Sequence, residues 1–275
     1  MKGFVFQSVV GLLFICAFSQ IGLGQMITGH RGASHDAPEN TLAAFQLAWE
    51  QGADAVEGDF YLTADSHIVC IHDADTLRTA GIKKIVAKTT LEELRQLDAG
   101  AWKNPRFKGE RIPTFAEVMQ CIPAGKTFVI ELKTDPAIVP VLEKELKRLQ
   151  PDPSSLLIIA FNAETIAACK KAFPEIKAHW LTSFKRSNGI GPWTPAAKQI
   201  IDTVEKTGAD GVGLRGERAV VDQSFIEKLA SGGVNDFHVW TIDSPADAQY
   251  FKDLGASGIT TNRPAYIRQT LEGGN

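Results

Sequence analysis

From residue 25 onward, short apolar runs alternate with longer stretches whose apolar positions recur every three or four residues. The short runs are MITGH, DAVEGDFYL, TFVIELK, LLIIAF, KAHWLTS, GVGLRG, FHVWTID and SGITTN, which makes eight candidate strands. Between them, helical periodicity covers 41–51, 137–150, 163–173, 195–207, 222–231 and 245–254. Near-continuous apolar strands alternating with amphipathic helices predict a parallel sheet covered by helices. Eight such units predict closure into an α/β (β/α)₈ barrel. One strand-like run, 66–73, breaks the rhythm because only a short turn separates it from the second strand. It is expected to fold back as a hairpin and return His72 to the rim that Glu57 and Asp59 leave. Residues 76–113 then form an inserted excursion over the barrel mouth, with a helix at TLEELRQL started by a Thr cap.

The first 24 residues differ in kind. Lys2 is their only charge, 4–18 is almost wholly apolar, and small residues precede Gln25. This pattern predicts a cleavable secretory signal over 1–24, a barrel domain over 25–275 and an exported protein, periplasmic or extracellular. The apolar run is shorter than the roughly 20 residues that span a bilayer, so no stable membrane insertion is expected after cleavage. Composition adds exclusions. At 44% hydrophobic and 22% charged residues the 275-residue chain is an ordinary globular one, and a net charge of −3 argues against a general nucleic-acid surface. Of the four cysteines Cys16 lies in the leader, and its removal leaves Cys70, Cys121 and Cys169, an odd number without close spacing, so they are read as packing residues.

In barrels of this class the functional groups stand at the carboxyl ends of the strands. Here those ends are polar: His30 and Arg31, Glu57 and Asp59, Glu131 and Lys133, and Trp240. Period-two geometry puts Glu57 and Asp59 on one side of their strand, and likewise Glu131 and Lys133. Three converging carboxylates raise one another's pKa unless a cation lies among them. An all-oxygen set suits Mg²⁺ or Ca²⁺, and carboxylate spacing does not separate the two. The competing reading is a set of structural ion pairs with Arg31 and Lys133. Histidine as a residue type ordinarily titrates in the range useful for proton transfer, so His30 and His72, expected at the same rim, form the candidate acid/base pair. Arg31 and Lys133 offer a planar fork and a point charge for phosphate oxygens. His35, His67 and His179 are read as hydrogen-bonding residues, and His238 as packed in the core.

The run from Thr28 through Gly81, containing His-Arg-Gly, Pro-Glu-Asn-Thr, Glu-x-Asp and His-Asp, is followed in order by IPTFAEV, FVIELK, VWTID and GITTNRP. In that order and spacing the chain resembles the glycerophosphodiester phosphodiesterase family over nearly all of its length after the leader. The resemblance implies a (β/α)₈ barrel with a short insertion after the second strand and a divalent cation held by Glu57, Asp59 and Glu131. It also implies acid/base catalysis by His30 and His72, phosphate contacts from Arg31 and Lys133, a site role for Glu39, and Trp240 beside the glycerol moiety. The implied reaction is hydrolysis of a small-molecule glycerophosphodiester to sn-glycerol 3-phosphate and an alcohol. Two positions depart from the family's habit: Gly58 replaces an apolar residue, which puts local strand rigidity in question, and Asp243 replaces an asparagine, adding a negative charge near the rim. Two alternatives stay open at this point: a lysophospholipid, sphingolipid or phosphoinositide substrate, and a phosphate-binding protein without catalysis.

Overall fold

The computed structural model describes residues 25–273, so the leader expected over 1–24 lies outside the described residues. Eleven strands run β1 (Met26–His30), β2 (Ala55–Leu62), β3 (Ile68–Cys70), β4 (Thr127–Leu132), β5 (Leu156–Ala160), β6 (Lys177–Thr182), β7 (Lys185–Arg186), β8 (Trp193–Thr194), β9 (Gly211–Arg215), β10 (Phe237–Trp240) and β11 (Gly258–Thr261). Among the described residues ten α-helices intervene: α1 (Leu42–Glu50), α2 (Leu77–Ala80), α3 (Leu91–Leu94), α4 (Phe115–Gln120), α5 (Val139–Leu149), α6 (Ala163–Ala172), α7 (Ala197–Thr207), α8 (Gln223–Ser231), α9 (Pro245–Asp253) and α10 (Pro264–Glu272). Among the described residues, no helix is long and apolar enough to cross a membrane.

Eight strands close the barrel in the order β1-β11-β10-β9-β6-β5-β4-β2, all parallel, and β1 pairs with β2 to seal it. These are the eight runs expected from the apolar pattern. The ninth member of the sheet, β3, pairs antiparallel with β2, Phe60 opposite Cys70, and the Ile71 N–H donates to the Asp59 carbonyl at 2.9 Å. The hairpin therefore returns the chain to the rim. The periodicity reading did not cover α2, α4, the β7–β8 ribbon of two-residue strands, or the C-terminal helix α10. Four or six residues, or two per strand, are too few to establish a period, whereas the nine-residue α10 follows directly on the GITTNRP run and was not read as a separate element.

Most of the core lies between barrel and helices, with Phe45, Phe60, Phe115 and Phe128 fully buried on the β1–β6 side. Inside the barrel, Ala55, Val129, Leu157, Ile159 and Leu181 form a small apolar plug beneath the mouth. The insertion packs its own cluster of Val86, Leu94, Leu97, Ala99 and Ile112 onto Val69 and Ile71 of the hairpin. Its helix α3 has the expected start, with Thr90 and Glu93 forming a capping box. The hairpin side chains thus fix the insertion beside His72. Cys70 and Cys169 are buried and Cys121 is half-buried; all three are free thiols.

Candidate active site

The loop leaving β1 is shaped by its backbone. Arg31 and Gly32 both lie in the left-handed region, at φ 56° and 82°, and a Cβ on Gly32 would fall 2.4 Å from the backbone of Ala44. With that turn made, the Arg31 N–H donates to Glu57 Oε2 at 2.9 Å. Its guanidinium donates to Glu39 Oε1 at 2.9 Å and pairs with Asp59 Oδ2 at 3.2 Å. A strained non-glycine residue held this firmly is a mark of a functional site. Asn40, also left-handed at φ 58°, brackets Asp59: its Nδ2 donates to Oδ2 at 2.8 Å and its Oδ1 accepts the Asp59 N–H at 3.1 Å.

Because Asp59 stands opposite Glu131 in the β2–β4 register, Glu57, Asp59 and Glu131 converge at the barrel mouth. All three are buried, and each offers an oxygen within 4.8 Å of the others. Glu57 Oε1 and Asp59 Oδ1 are buried without a hydrogen bond. Lys133 donates to Glu131 at 2.7 Å and stands 3.3 Å from Asp59 Oδ1. The ion pairs of the competing reading therefore exist, yet they leave the cluster short of positive charge. Burial, with Asp59 and Glu131 alongside, pushes the Glu57 carboxyl well above its usual range. Burial and Asp59 push Glu131 up to about 7 against the pull of Lys133. Burial also works against the charge on Asp59, but Lys133 and Arg31 outweigh it and hold that carboxyl at about 2. Carboxylates crowded this way, with buried oxygens that accept no hydrogen bond, fit a hard divalent cation.

The histidines flank this cluster. His30 lines the same crevice as Glu57, Glu131 and Trp240, and its Nδ1 lies 2.7 Å from Asn262 Oδ1. Burial and the adjacent Arg31 depress its pKa to about 4, so the ring is neutral near pH 7. His72 lines the neighbouring crevice with Glu39 and Asn40, and its Nδ1 lies 2.6 Å from Asp73 Oδ1. The insertion reaches the His72 crevice through Arg78. That guanidinium donates twice to Glu39, at 2.7 and 2.8 Å, and once to Asp73, at 2.7 Å. Burial opposes ionisation of Glu39, but the bonds from Arg78 and the charge of Arg31 hold its carboxyl below the usual range.

Every candidate residue read from the sequence thus stands at this mouth: His30, Arg31, Glu39, Glu57, Asp59, His72, Glu131, Lys133 and Trp240. Four more join them without having been assigned a role: Asn40, Asp73, Arg78 and Asn262. Asn40, Asp73 and Asn262 lie inside quoted motifs, and Arg78 is a lone cation among the acidic groups of HDADTLRTAG; these were the available signals. Asp243 is not part of the carboxylate cluster but faces Thr261 and Asn262. A wide surface depression lies at the opposite end of the barrel, around Met119, Lys126 and Asp152, and contains none of these groups.

A buried carboxylate trio with an arginine and a lysine beside it, at the carboxyl end of a (β/α)₈ barrel, is equipped for phosphate esters. By class this is a barrel phosphodiesterase. Residues 30–266 match the model of the glycerophosphoryl diester phosphodiesterase family. The glycerophosphodiester phosphodiesterase of Caldanaerobacter subterraneus subsp. tengcongensis is 33% identical over 244 residues, spanning 87% of this chain and 94% of that protein. A solved structure of an Oleispira antarctica phosphodiesterase in complex with the product sn-glycerol-3-phosphate is 28% identical, with a TM-score of 0.79 over 90% of this chain and 96% of the other. The Agrobacterium tumefaciens glycerophosphodiester phosphodiesterase structure is 26% identical, with a TM-score of 0.69 over 88% of this chain and 98% of that one. The chain belongs to the glycerophosphodiester phosphodiesterase family and is an enzyme of that activity.

Proposed function

We propose that the protein hydrolyses water-soluble glycerophosphodiesters to sn-glycerol 3-phosphate and the free alcohol, using one divalent cation, Ca²⁺ or Mg²⁺, with His30 and His72 as the proton-transferring pair. The observation that carries this reading is the convergence of three buried carboxylates, two of them with an oxygen that accepts no hydrogen bond, beside Arg31, Lys133 and a neutral His30. When bound by Glu57, Asp59 and Glu131, the cation supplies positive charge that stabilises the phosphodiester oxygens as negative charge grows on them.

The chain's own residues do the rest. Arg31 and Lys133 share the phosphate charge; Arg31 is already oriented by Glu39 and Asp59 and needs little rearrangement. His30, neutral and held at Nδ1, takes the proton of the free glycerol hydroxyl next to the phosphate through Nε2. That oxygen attacks phosphorus, and the alcohol departs with a proton from His72, whose ring Asp73 orients. The resulting cyclic phosphate is opened by water with the proton movements reversed: His72 deprotonates the water and His30 returns the proton to the ring oxygen. The unpartnered indole N–H of Trp240, in the His30 crevice, is available to the glycerol hydroxyls. The apolar leader supports export as part of the same reading, and N-terminal sequencing of secreted material checks cleavage near residue 24.

The test is glycerol 3-phosphate release from glycerophosphocholine and glycerophosphoethanolamine by metal-stripped protein, resupplied with Ca²⁺ or Mg²⁺. Release restored by metal, and reduced roughly 100-fold or more in His30→Ala and in His72→Ala, is expected from the size of general acid–base effects. Full turnover in the stripped protein would remove the cation from the reaction, and near-wild-type turnover in either variant would remove that histidine.

A further inference from the structure

Behind His30 lies a chain of polar contacts that crosses the ends of three adjacent strands, from β1 through β11 to β10. Asp243, just beyond β10, receives three donors. Its Oδ1 accepts the Thr261 hydroxyl at 2.9 Å and the Asn262 N–H at 2.8 Å, and its Oδ2 accepts the Asn262 amide nitrogen at 2.6 Å. On its other side the Asn262 Oδ1 lies 2.8 Å from the Ser34 hydroxyl and 2.7 Å from His30 Nδ1. The Asn262 carbonyl also accepts the His35 N–H at 3.0 Å, which ties the loop after β1 to the end of β11.

The chemistry of these groups allows only one arrangement of hydrogens. An ionised carboxylate has no proton to give, so the Asn262 atom facing Asp243 is the amide nitrogen and the atom facing His30 is the oxygen. An amide oxygen only accepts, so His30 Nδ1 carries the hydrogen. In a neutral imidazole the other nitrogen is then bare. We infer that Asp243, acting through Asn262, fixes His30 as its Nδ1–H tautomer and leaves Nε2 free to accept a proton, which makes Asp243 and Asn262 positioning residues for the reaction. The inference deepens the proposed function and rests on the role given there to His30.

An asparagine in place of Asp243 would undo this without changing size. Its Oδ1 would keep the two donors from Thr261 and Asn262 N–H, so its NH₂ would face the NH₂ of Asn262. The clash is relieved by turning the Asn262 amide over. That presents NH₂ to His30 Nδ1, which must now accept, and the ring hydrogen moves to Nε2. Exchanging the two residues restores the pattern: the amide brought to position 243 donates to the carboxylate brought to position 262, and that carboxylate accepts from His30 Nδ1.

The experiment combines ¹⁵N NMR of the histidine rings with steady-state kinetics on the full chain supplied with Mg²⁺ or Ca²⁺, for wild type, Asp243→Asn and the double variant Asp243→Asn/Asn262→Asp. The His30 signals are assigned by their loss in His30→Gln, and thermal melting verifies folding. Wild type is expected to show a protonated Nδ1 and a bare Nε2. In Asp243→Asn the hydrogen moves to Nε2, and kcat falls roughly 10- to 100-fold with KM little changed, a part of the ~10²–10⁴ that a general base contributes. The double variant regains the Nδ1–H signature and most of kcat. An Nδ1–H ring persisting in folded Asp243→Asn would overturn the inference whatever the turnover. A switched tautomer with undiminished turnover would uphold the link from Asp243 to the ring while removing His30 from the proposed mechanism.

Discussion

Between the two carboxylates of β2 the chain carries glycine, and the reason lies on the face turned away from the cluster. A Cβ at Gly58 would sit 3.1 Å from both Phe45 Cζ and Cys70 Sγ, so the volume that a larger apolar residue would occupy is already filled from α1 and β3. The strand is therefore packed rather than slack at this point. Gly58→Val is expected to destabilise the fold by about 1–3 kcal/mol through overpacking, read as a lower urea midpoint at unchanged m. An unchanged midpoint would show that Phe45 can move aside. The Asp243 charge likewise has a local partner set in Thr261 and Asn262 and does not load the cation cluster. At this scale the carboxylate trio was legible, because alternation along a strand is a local property that fixes which side chains share a face. Asn40 and Asn262 were not legible as site residues. Their roles depend on amide groups meeting Asp59 and His30 at separations of 19 and 232 residues.

Among the elements, the insertion is more than a cover. Its short helix α2 carries Arg78 to a point where one guanidinium holds both Glu39, which orients Arg31, and Asp73, which orients His72. A planar fork with several fixed donors can serve two carboxylates at once, whereas an ammonium cannot match both directions. Arg78→Ala is expected to lower kcat about tenfold or more, and Arg78→Lys to recover little of it, since each loosens groups on which proton transfer depends. Unchanged kcat in Arg78→Ala would reduce the insertion to a passive lid. The hairpin and the excursion were both visible in the sequence, since one strand-like run lacked a preceding helix. The clamp was not, because nothing in the spacing of Arg78 says which carboxylates the folded loop will bring to it.

At the scale of the whole molecule, the barrel interior also holds a pair of imidazoles that the proposed chemistry does not use. His179 of β6 and His238 of β10 stack at 5.2 Å between centroids, with Nδ1 atoms 3.1 Å apart. They fit because the intervening strand β9 carries Gly211 and Gly213, where a Cβ would lie 2.7 Å from His179 Nε2 and 2.5 Å from His238 Nε2. Burial, with His179 adjacent, lowers the His238 pKa from 6.5 to about 3. The folded protein then resists a proton that the unfolded chain accepts, so stability rises with pH across this window. The contribution is complete above pH 6.5 and is lost progressively as pH falls to about 3. Urea midpoints taken between pH 7 and 4 should fall in wild type and fall less in His238→Gln; equal falls would assign the acid sensitivity to other groups. The sequence by itself determined the eight strands, their alternation with helices and the polar character of their carboxyl ends, because periods of 2 and 3.6 and the turn of a hairpin are properties of neighbouring residues. Only the tertiary structure decided which groups hold one another there. Closure of β1 onto β2 and β11 brings His30, Glu57 and Asn262 together, and such contacts follow from the path of the whole chain, which no local spacing encodes.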